Sequence, residues 1–327
     1  EAGQSCFTSF LLGKLRGEDL GMDKKHKSIS YAKWGYIFII PFLIVFITCQ
    51  LIPLFNTFYN SFFENYRDGL AQIGPNFVGF DNYIKLFTPN KSGSINIVNY
   101  ACNTMIMWII GAIPQLVFSL LLAVIFTSAR LNIKGQTFFK TVIYMPNLVM
   151  ASAFSMLFFT LFSNVGPINQ IILAMTNNTF EFFRNPVSTR CIIAFINFLM
   201  WFGNTTILLM AGIMGIDQSL FEAASIDGAT SGQVFFKITL PLLTPTIFFN
   251  LVMQMINGFL AFTQCYIITQ GKPMNSTLLY TVYMYQQSFE FYNTGYGAAL
   301  AWVMLAIIGT ITLILFATKK FWVYEEG

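Results

Sequence analysis

Asn197, Trp201 and Asn204 stand at i, i+4 and i+7 in an apolar stretch, so a helix puts all three on one face. An amide offers two donors and an acceptor, which suits hydroxyl groups, and an indole face suits a saturated sugar ring. Asn147, beside Pro146, and Gln254, Asn257 and Gln264 further on have the same polar character in apolar surroundings. Amides inside a helical bundle also serve to tie helices together, for about 0.6–2 kcal/mol each. The residues alone leave both roles open.

Other chemistries lack carriers. His26 is the only histidine and lies in a polar N-terminal segment. No acid or base occupies the centre of an apolar stretch, so proton-transfer catalysis has no group to perform it. Five cysteines (Cys6, Cys49, Cys102, Cys191, Cys265) show no CxxC or Cys/His spacing, which predicts packing roles and no metal centre. No GxxxxGK[ST] phosphate loop occurs; Gly13-Lys14-Leu15 and Gly271-Lys272-Pro273 both fail the pattern. No cofactor is expected in this chain, and nucleic acid is not among its expected partners.

The elements that must position these residues are membrane spans. Of 327 residues 55% are hydrophobic and 10% charged, against about 25% charged in soluble domains. That is too little charge to coat a globule. Crossing a bilayer takes about 20 apolar residues in a helix. Six stretches qualify, at 35–60, 98–127, 140–163, 190–214, 242–268 and 296–318. A further apolar run, Ile168–Met175, is too short and reads as an interfacial segment. Pro41, Pro53, Pro114, Pro146 and Pro245 are expected to bend or interrupt the spans. With the N-terminus inside, twelve of the eighteen Lys and Arg fall on the inner side, which predicts both termini in the cytoplasm. Residues 1–33 are then a cytoplasmic segment, since the patch Phe7–Leu12 is too short to span and has no small-residue cleavage site after it. Residues 34–320 form the membrane domain and 321–327 a cytoplasmic tail.

The inner connection at 215–241 differs from the other loops. Asp217 or Ser219 can cap a helix on which Leu220, Ala223 and Ala224 form a small apolar face. Gly228 permits a sharp exit, and a second helical stretch over 231–239 is predicted to end at Pro241. Small residues let another backbone approach closely, so the loop reads as a docking knob, with an ordinary interfacial helix as the competing reading.

Glu222-Ala223-Ala224, three residues, Gly228, nine residues, Ile238, one residue and Leu240-Pro241 resembles the EAA signature of binding-protein-dependent ABC importer permeases. Phe77-Val78-Gly79-Phe80-Asp81-Asn82-Tyr83 is similar to the FVGxxNY segment of the sugar-type subfamily. Thr269-Gln270-Gly271-Lys272-Pro273 with Asn275-Ser276-Thr277 resembles its TxGGP–NST turn, and Phe291 to Leu300 its FGxASA motif. The resemblance spans about 34–320 and is closest to maltose- and glycerol-phosphate-type permeases. Asp217 stands where a Pro is usual, and Lys272 replaces a Gly.

The resemblance implies an all-α integral membrane protein with six transmembrane helices, the type I ABC importer permease fold and a cytoplasmic coupling helix. It implies a bacterial cytoplasmic-membrane location and a set of partners: a second homologous permease, two ATPase subunits carrying ATP and magnesium, and an extracytoplasmic solute-binding protein that delivers a sugar or oligosaccharide. Glu222, Ala223, Ala224, Asp227 and Gly228 would meet the ATPase. Asn147, Asn197, Trp201, Asn204 and Asn257 fall near positions that line the sugar pocket of maltose-type permeases, although in some importers only one of the two permeases holds the sugar. Independently, spans without central charge argue against a proton- or sodium-driven carrier. With no nucleotide site either, energy must arrive from another subunit. The absence of a cation at mid-span weighs against an anionic solute. A stand-alone channel or secondary carrier is the alternative.

Overall fold

The computed structural model describes residues 32–90, 93–128 and 134–324, so most of the predicted segment 1–33, with His26 and Cys6, and the tail beyond Tyr324 lie outside the described residues. Six helical stretches are long and apolar enough to cross a membrane: Lys33–Asn60, Asn96–Thr127, Ala151–Thr176, Pro186–Met214, Ser231–Ile268 and Thr294–Phe321. The chain divides into two compact units, the first ending at Phe55. The described part of the first is helix α1 (Ala32–Phe46), a π turn (Ile47–Leu51) and the start of α2 (Ile52–Asn60). Its apolar side chains are exposed almost throughout, as lipid-facing residues should be.

The second unit starts at Asn56, within α2, and its first elements after that helix are the strands of an antiparallel hairpin, β1 (Phe63–Asp68) and β2 (Ala71–Phe77), which the all-α expectation did not include. Helix α3 (Asp81–Phe87) follows, and two residues of the FVGFDNY segment secure it. Asn82 donates to the carbonyls of Ser61 and Phe63, and the Tyr83 hydroxyl lies 2.7 Å from Ser61 Oγ. The long helices come next: α4 (Asn96–Thr127), α5 (Gln136–Leu148), α6 (Ala151–Phe162), the short α7 (Pro167–Thr176) and α8 (Pro186–Met214). After α8 run α9 (Gln218–Ile226), α10 (Ser231–Val234), α11 (Leu240–Phe259), α12 (Thr263–Ile268), α13 (Tyr280–Tyr285) and α14 (Thr294–Thr318).

Polarity is inverted relative to a soluble bundle. On α4, Thr104, Gln115 and Ser119 are buried while Ile113, Val117 and Leu121 are exposed. The buried groups join helices: Gln115 Nε2 donates to Thr205 Oγ1 at 2.8 Å, and Ser119 Oγ to the Phe202 carbonyl at 2.9 Å. These bonds fix α4 against α8, the most extensive helix pair. Helix α5 crosses α8 at Gly203, where a Cβ would stand 2.0 Å from the Ile143 carbonyl oxygen. Only glycine permits that approach. One apolar core gathers Ile196, Tyr280, Leu300 and Met304, and another gathers Ala123, Leu209, Leu243 and Ile247.

Three expectations change. The third span is not a single helix over 140–163. The chain leaves α5 at Val149–Met150, one turn after Pro146 removes a backbone donor, and the membrane-length stretch starts at Ala151. The fifth span breaks at Leu260–Phe262, just past Asn257 and Gly258, two weak helix formers. Pro241 ends nothing: a π turn at Phe235–Thr239 precedes it, and α11 runs through it. The wide turn makes room for the ring, and the proline contributes no donor that would need a partner. Pro53 repeats the arrangement after Ile47–Leu51. Pro41, Pro114 and Pro245 sit inside continuous helices.

Candidate functional site: a neutral cavity and a self-capped loop

A cavity of about 760 Å³ lies among α4, α8, α11 and α12. Asn197, Trp201, Asn204 and Asn257 all line it, as do Gln254 and Gln264. Asn147 does not. Its Nδ2 donates to the Met200 carbonyl at 3.1 Å, so its amide ties α5 to α8 and leaves the cavity wall to others.

The amides fall into two groups. Gln115 is bonded to Thr205, and Gln254 Nε2 donates to Asn250 Oδ1 at 2.6 Å; Gln264 Nε2 approaches Met200 Sδ at 3.6 Å. These rigidify the wall. The side-chain amides of Asn197, Asn204 and Asn257 make no hydrogen bond to any described residue, and Asn204 and Asn257 are exposed to the cavity. Trp201 is 40% exposed, so its ring is available for stacking. An indole and three uncommitted amides therefore face one space. No Asp, Glu, Lys, Arg or His lines it.

Trp108, Gln115, Thr205 and Asn250 also line the cavity and were not foreseen. Asn250, Gln254 and Asn257 repeat on α11 the i, i+4, i+7 spacing of the α8 stripe, a signal that could have found Asn250. Trp108 carries no such signal; its place follows from the packing of α4.

The second predicted site is the loop after α8. Asp217, not Ser219, caps α9, accepting from the Ser219 N–H at 2.9 Å. This bond, made to the charged carboxylate, holds the Asp217 carboxyl below its ordinary value. Gly228 closes the helix at φ +72°. Its N–H donates to the Ser225 carbonyl and that of Ala229 to the Ala224 carbonyl, the pair of bonds of a Schellman cap. A capping box of Thr230 and Gln233 then starts α10. The knob is thus held by its own backbone. Glu222, Ala223, Asp227 and Gly228 are exposed, and Leu220 and Ile226 stand out with them. Ala224 is buried, so the predicted face of Leu220, Ala223 and Ala224 presents only its first two members.

A bundle whose polar groups surround a neutral cavity, with a rigid loop beyond one end, defines a membrane transport component. Residues 93–320 match the family described as binding-protein-dependent transport system inner membrane component. The chain belongs to that family and is a permease subunit of a binding-protein-dependent ABC importer. It is 38% identical to the probable ABC transporter permease protein YesP of Bacillus subtilis, over 94% of this chain and 98% of that one. The arabinooligosaccharides transport system permease protein AraP of Bacillus subtilis is 29% identical over 88% of this chain and 90% of its own. The multiple sugar-binding transport system permease protein MsmF of Streptococcus mutans is 30% identical over 88% and 96%. A chain of the bacterial alginate ABC transporter, crystallised with an alginate pentasaccharide-bound periplasmic protein, superposes with a TM-score of 0.76 at 20% identity, over 90% of this chain and 96% of that one. That likeness concerns the fold.

Proposed function

We propose that this permease conducts a saccharide, and that the cavity lined by Asn197, Trp201, Asn204 and Asn257 holds it midway across the membrane. The observation that carries the reading is that these three amides lack protein partners while other amides around them are bonded. An uncommitted amide in a cavity is available to sugar hydroxyls, and the indole to a ring face. Relatives whose names specify arabinooligosaccharides and multiple sugars support the substrate class.

The remaining parts of the reading rest on family membership, supported by the loop and the charge distribution. A second permease completes the path, both termini lie in the cytoplasm, and an external binding protein delivers the solute. Separate ATPase subunits receive the knob at Glu222–Gly228, whose self-capped rigidity suits it to transmit movement. Replacing Asn197, Trp201 and Asn204 together by Ala, in the complex assembled with its partners, should abolish saccharide uptake while assembly persists. Uptake at the unaltered rate would remove the pocket from the mechanism.

A further inference from the structure

Beyond Phe262 the cavity wall continues into a ribbon of aromatic rings. Phe262, just before α12, and Tyr266 within it have centroids 4.8 Å apart and planes 18° from parallel. Tyr285, at the end of α13, lies 4.9 Å from Phe262 and 5.0 Å from Tyr266. Phe289 follows Tyr285 at 5.1 Å. Phe262 lines the cavity, and so does Leu279, the residue before α13. The ribbon therefore starts at the cavity wall and runs along α13 away from it. A hydrogen bond from Thr281 Oγ1 to the Ala261 carbonyl ties α13 to the break in the fifth span. The proposed orientation of the chain places this end outside.

A π turn over Gln286–Glu290 continues α13, closed by the Phe291 N–H on the Gln286 carbonyl at 2.9 Å. Such a turn takes more residues than an α turn, so Phe289 and Glu290 both come round toward Tyr285. In an α-helix Glu290 would point well away from it. Here its carboxylate meets the ribbon, with Oε1 accepting from the Tyr266 hydroxyl at 3.1 Å. Glu290 is exposed, Phe289 is 65% exposed, and Phe262, Tyr266 and Tyr285 are half-buried. The Glu290 carboxylate has no ion pair with a described residue; the pairs among those residues are Lys85–Glu64 and Arg184–Glu181. The Gln286 amide, four residues before Glu290, makes no hydrogen bond to any described residue. A belt of rings facing lipid headgroups gains nothing from an unpaired carboxylate beside it.

We propose that this ribbon is a second saccharide site, taking a neutral pyranose unit at the outer approach to the cavity. The C–H face of the sugar ring packs on Tyr285 and Phe289, and its vicinal hydroxyls donate to the Glu290 carboxylate. Gln286 supplies donors and an acceptor beside them. A carboxylate accepts two such bonds at once and makes each roughly twice as strong as a neutral one. It repels an anion, so the site selects uncharged units. Ring faces beside acceptors for paired hydroxyls suit a saccharide; neither a lipid tail nor an anion calls for both. Continuity through Phe262 lets a chain of several units lie on the ribbon while its leading unit enters the cavity. The assignment rests on the saccharide reading for its direction of travel, while binding at the ribbon can be measured without transport.

The test is saturation-transfer NMR on the permease–ATPase assembly in nanodiscs, without the external binding protein, titrated with xylotriose and with trigalacturonate. The permease carries Asn197→Ala and Asn204→Ala, which weaken the cavity site and remove no side-chain hydrogen bond of the fold. Xylotriose should still bind, and trigalacturonate at least about tenfold more weakly. Adding Phe289→Ala should weaken xylotriose at least about tenfold, while Phe289→Trp keeps it. Glu290→Gln should weaken it about tenfold. The new amide oxygen still accepts from Tyr266, so a purely structural Glu290 predicts no change. Absence of xylotriose binding, indifference to Phe289→Ala or to Glu290→Gln, or equal binding of trigalacturonate would overturn the site. So would a Phe289→Ala chain that keeps xylotriose but no longer associates with the external binding protein, since the ribbon would then be that protein's contact. The path reading fails separately, by unaltered uptake when Asn197, Trp201 and Asn204 are replaced together.

Discussion

The cavity wall and the α9 knob both carry polar groups, but they satisfy them in opposite ways. In the bundle that forms the cavity, Gln115 on the wall and Ser119 and Asn147 behind it bond to residues on other helices, 53 to 90 positions away in sequence. In the knob every bond is local: Asp217 to Ser219, Gly228 to Ser225, Ala229 to Ala224, Thr230 to Gln233. The wall is held by the bundle, whereas the knob is held by itself and can move against a partner as a unit. A cavity that must change shape between two faces of a membrane is suited to cross-links that can be remade. Under the proposed coupling role, a knob that transmits force should not deform. The difference assigns opposite consequences to damage in the two regions.

The largest effect should come from Gly203→Leu. A side chain there meets the α5 backbone, so the helix pair that carries Asn197, Trp201 and Asn204 cannot close. Folded permease should be absent from the membrane fraction on size-exclusion analysis; normal accumulation would mean that the crossing is not needed. Next is Glu222→Arg, which should abolish ATPase association and uptake while leaving permease thermal stability unchanged, because Glu222 is exposed. Intact association would remove the docking role and, with it, half of the contrast.

A pair of milder changes sharpens the comparison within the wall itself. Gln115→Ala should lower stability by about 1–2 kcal/mol with uptake largely kept at permissive temperature. Asn204→Ala should do the reverse, lowering uptake several-fold with little change in melting temperature. If both lose stability equally, the distinction between bonded and uncommitted amides is wrong.

Smaller still are effects confined to the knob. Gly228→Ala forces a Cβ into φ +72° and should cost about 1 kcal/mol locally, seen as faster hydrogen exchange over 218–229 and nowhere in the wall. Acidification gives the last case. The Asp217 carboxyl is held below its ordinary value of about 3.9. Its contribution to α9 is therefore complete above that value and lost as pH falls through the lower folded one. Exchange in α9 should be flat from pH 7 to 5, after correction for intrinsic rates, and rise only in strong acid. The Asp217→Asn variant should lose that acid dependence.

How much could be read beforehand follows the same division. The knob was legible because helical caps are local: Asp217, Gly228 and their spacing specify the turn without reference to the rest of the chain. Membrane character was equally legible, since too few charges and long apolar runs permit little else. The α8 stripe was visible through its period. Asn147 looked identical in sequence to the amides of the stripe, yet it spends its donor on Met200, a choice set by where α5 crosses α8. The breaks at Val149–Met150 and Leu260–Phe262 were hidden because apolarity persists through them, and hydropathy does not register backbone angle.

The sequence by itself therefore determined that this chain spans the membrane, that it carries a locally capped loop at 217–233, and that its spans hold no charge at their centres. Those properties depend on composition and on contacts a few residues long. The tertiary structure alone decided which amides are committed and which face the cavity. It also decided that Phe262 and Tyr266 meet Tyr285 and Glu290, although they lie on separate elements. The physical reason is the same in both cases. A side chain's capacity for hydrogen bonding is written in its type, but whether that capacity is left over depends on what the fold brings beside it.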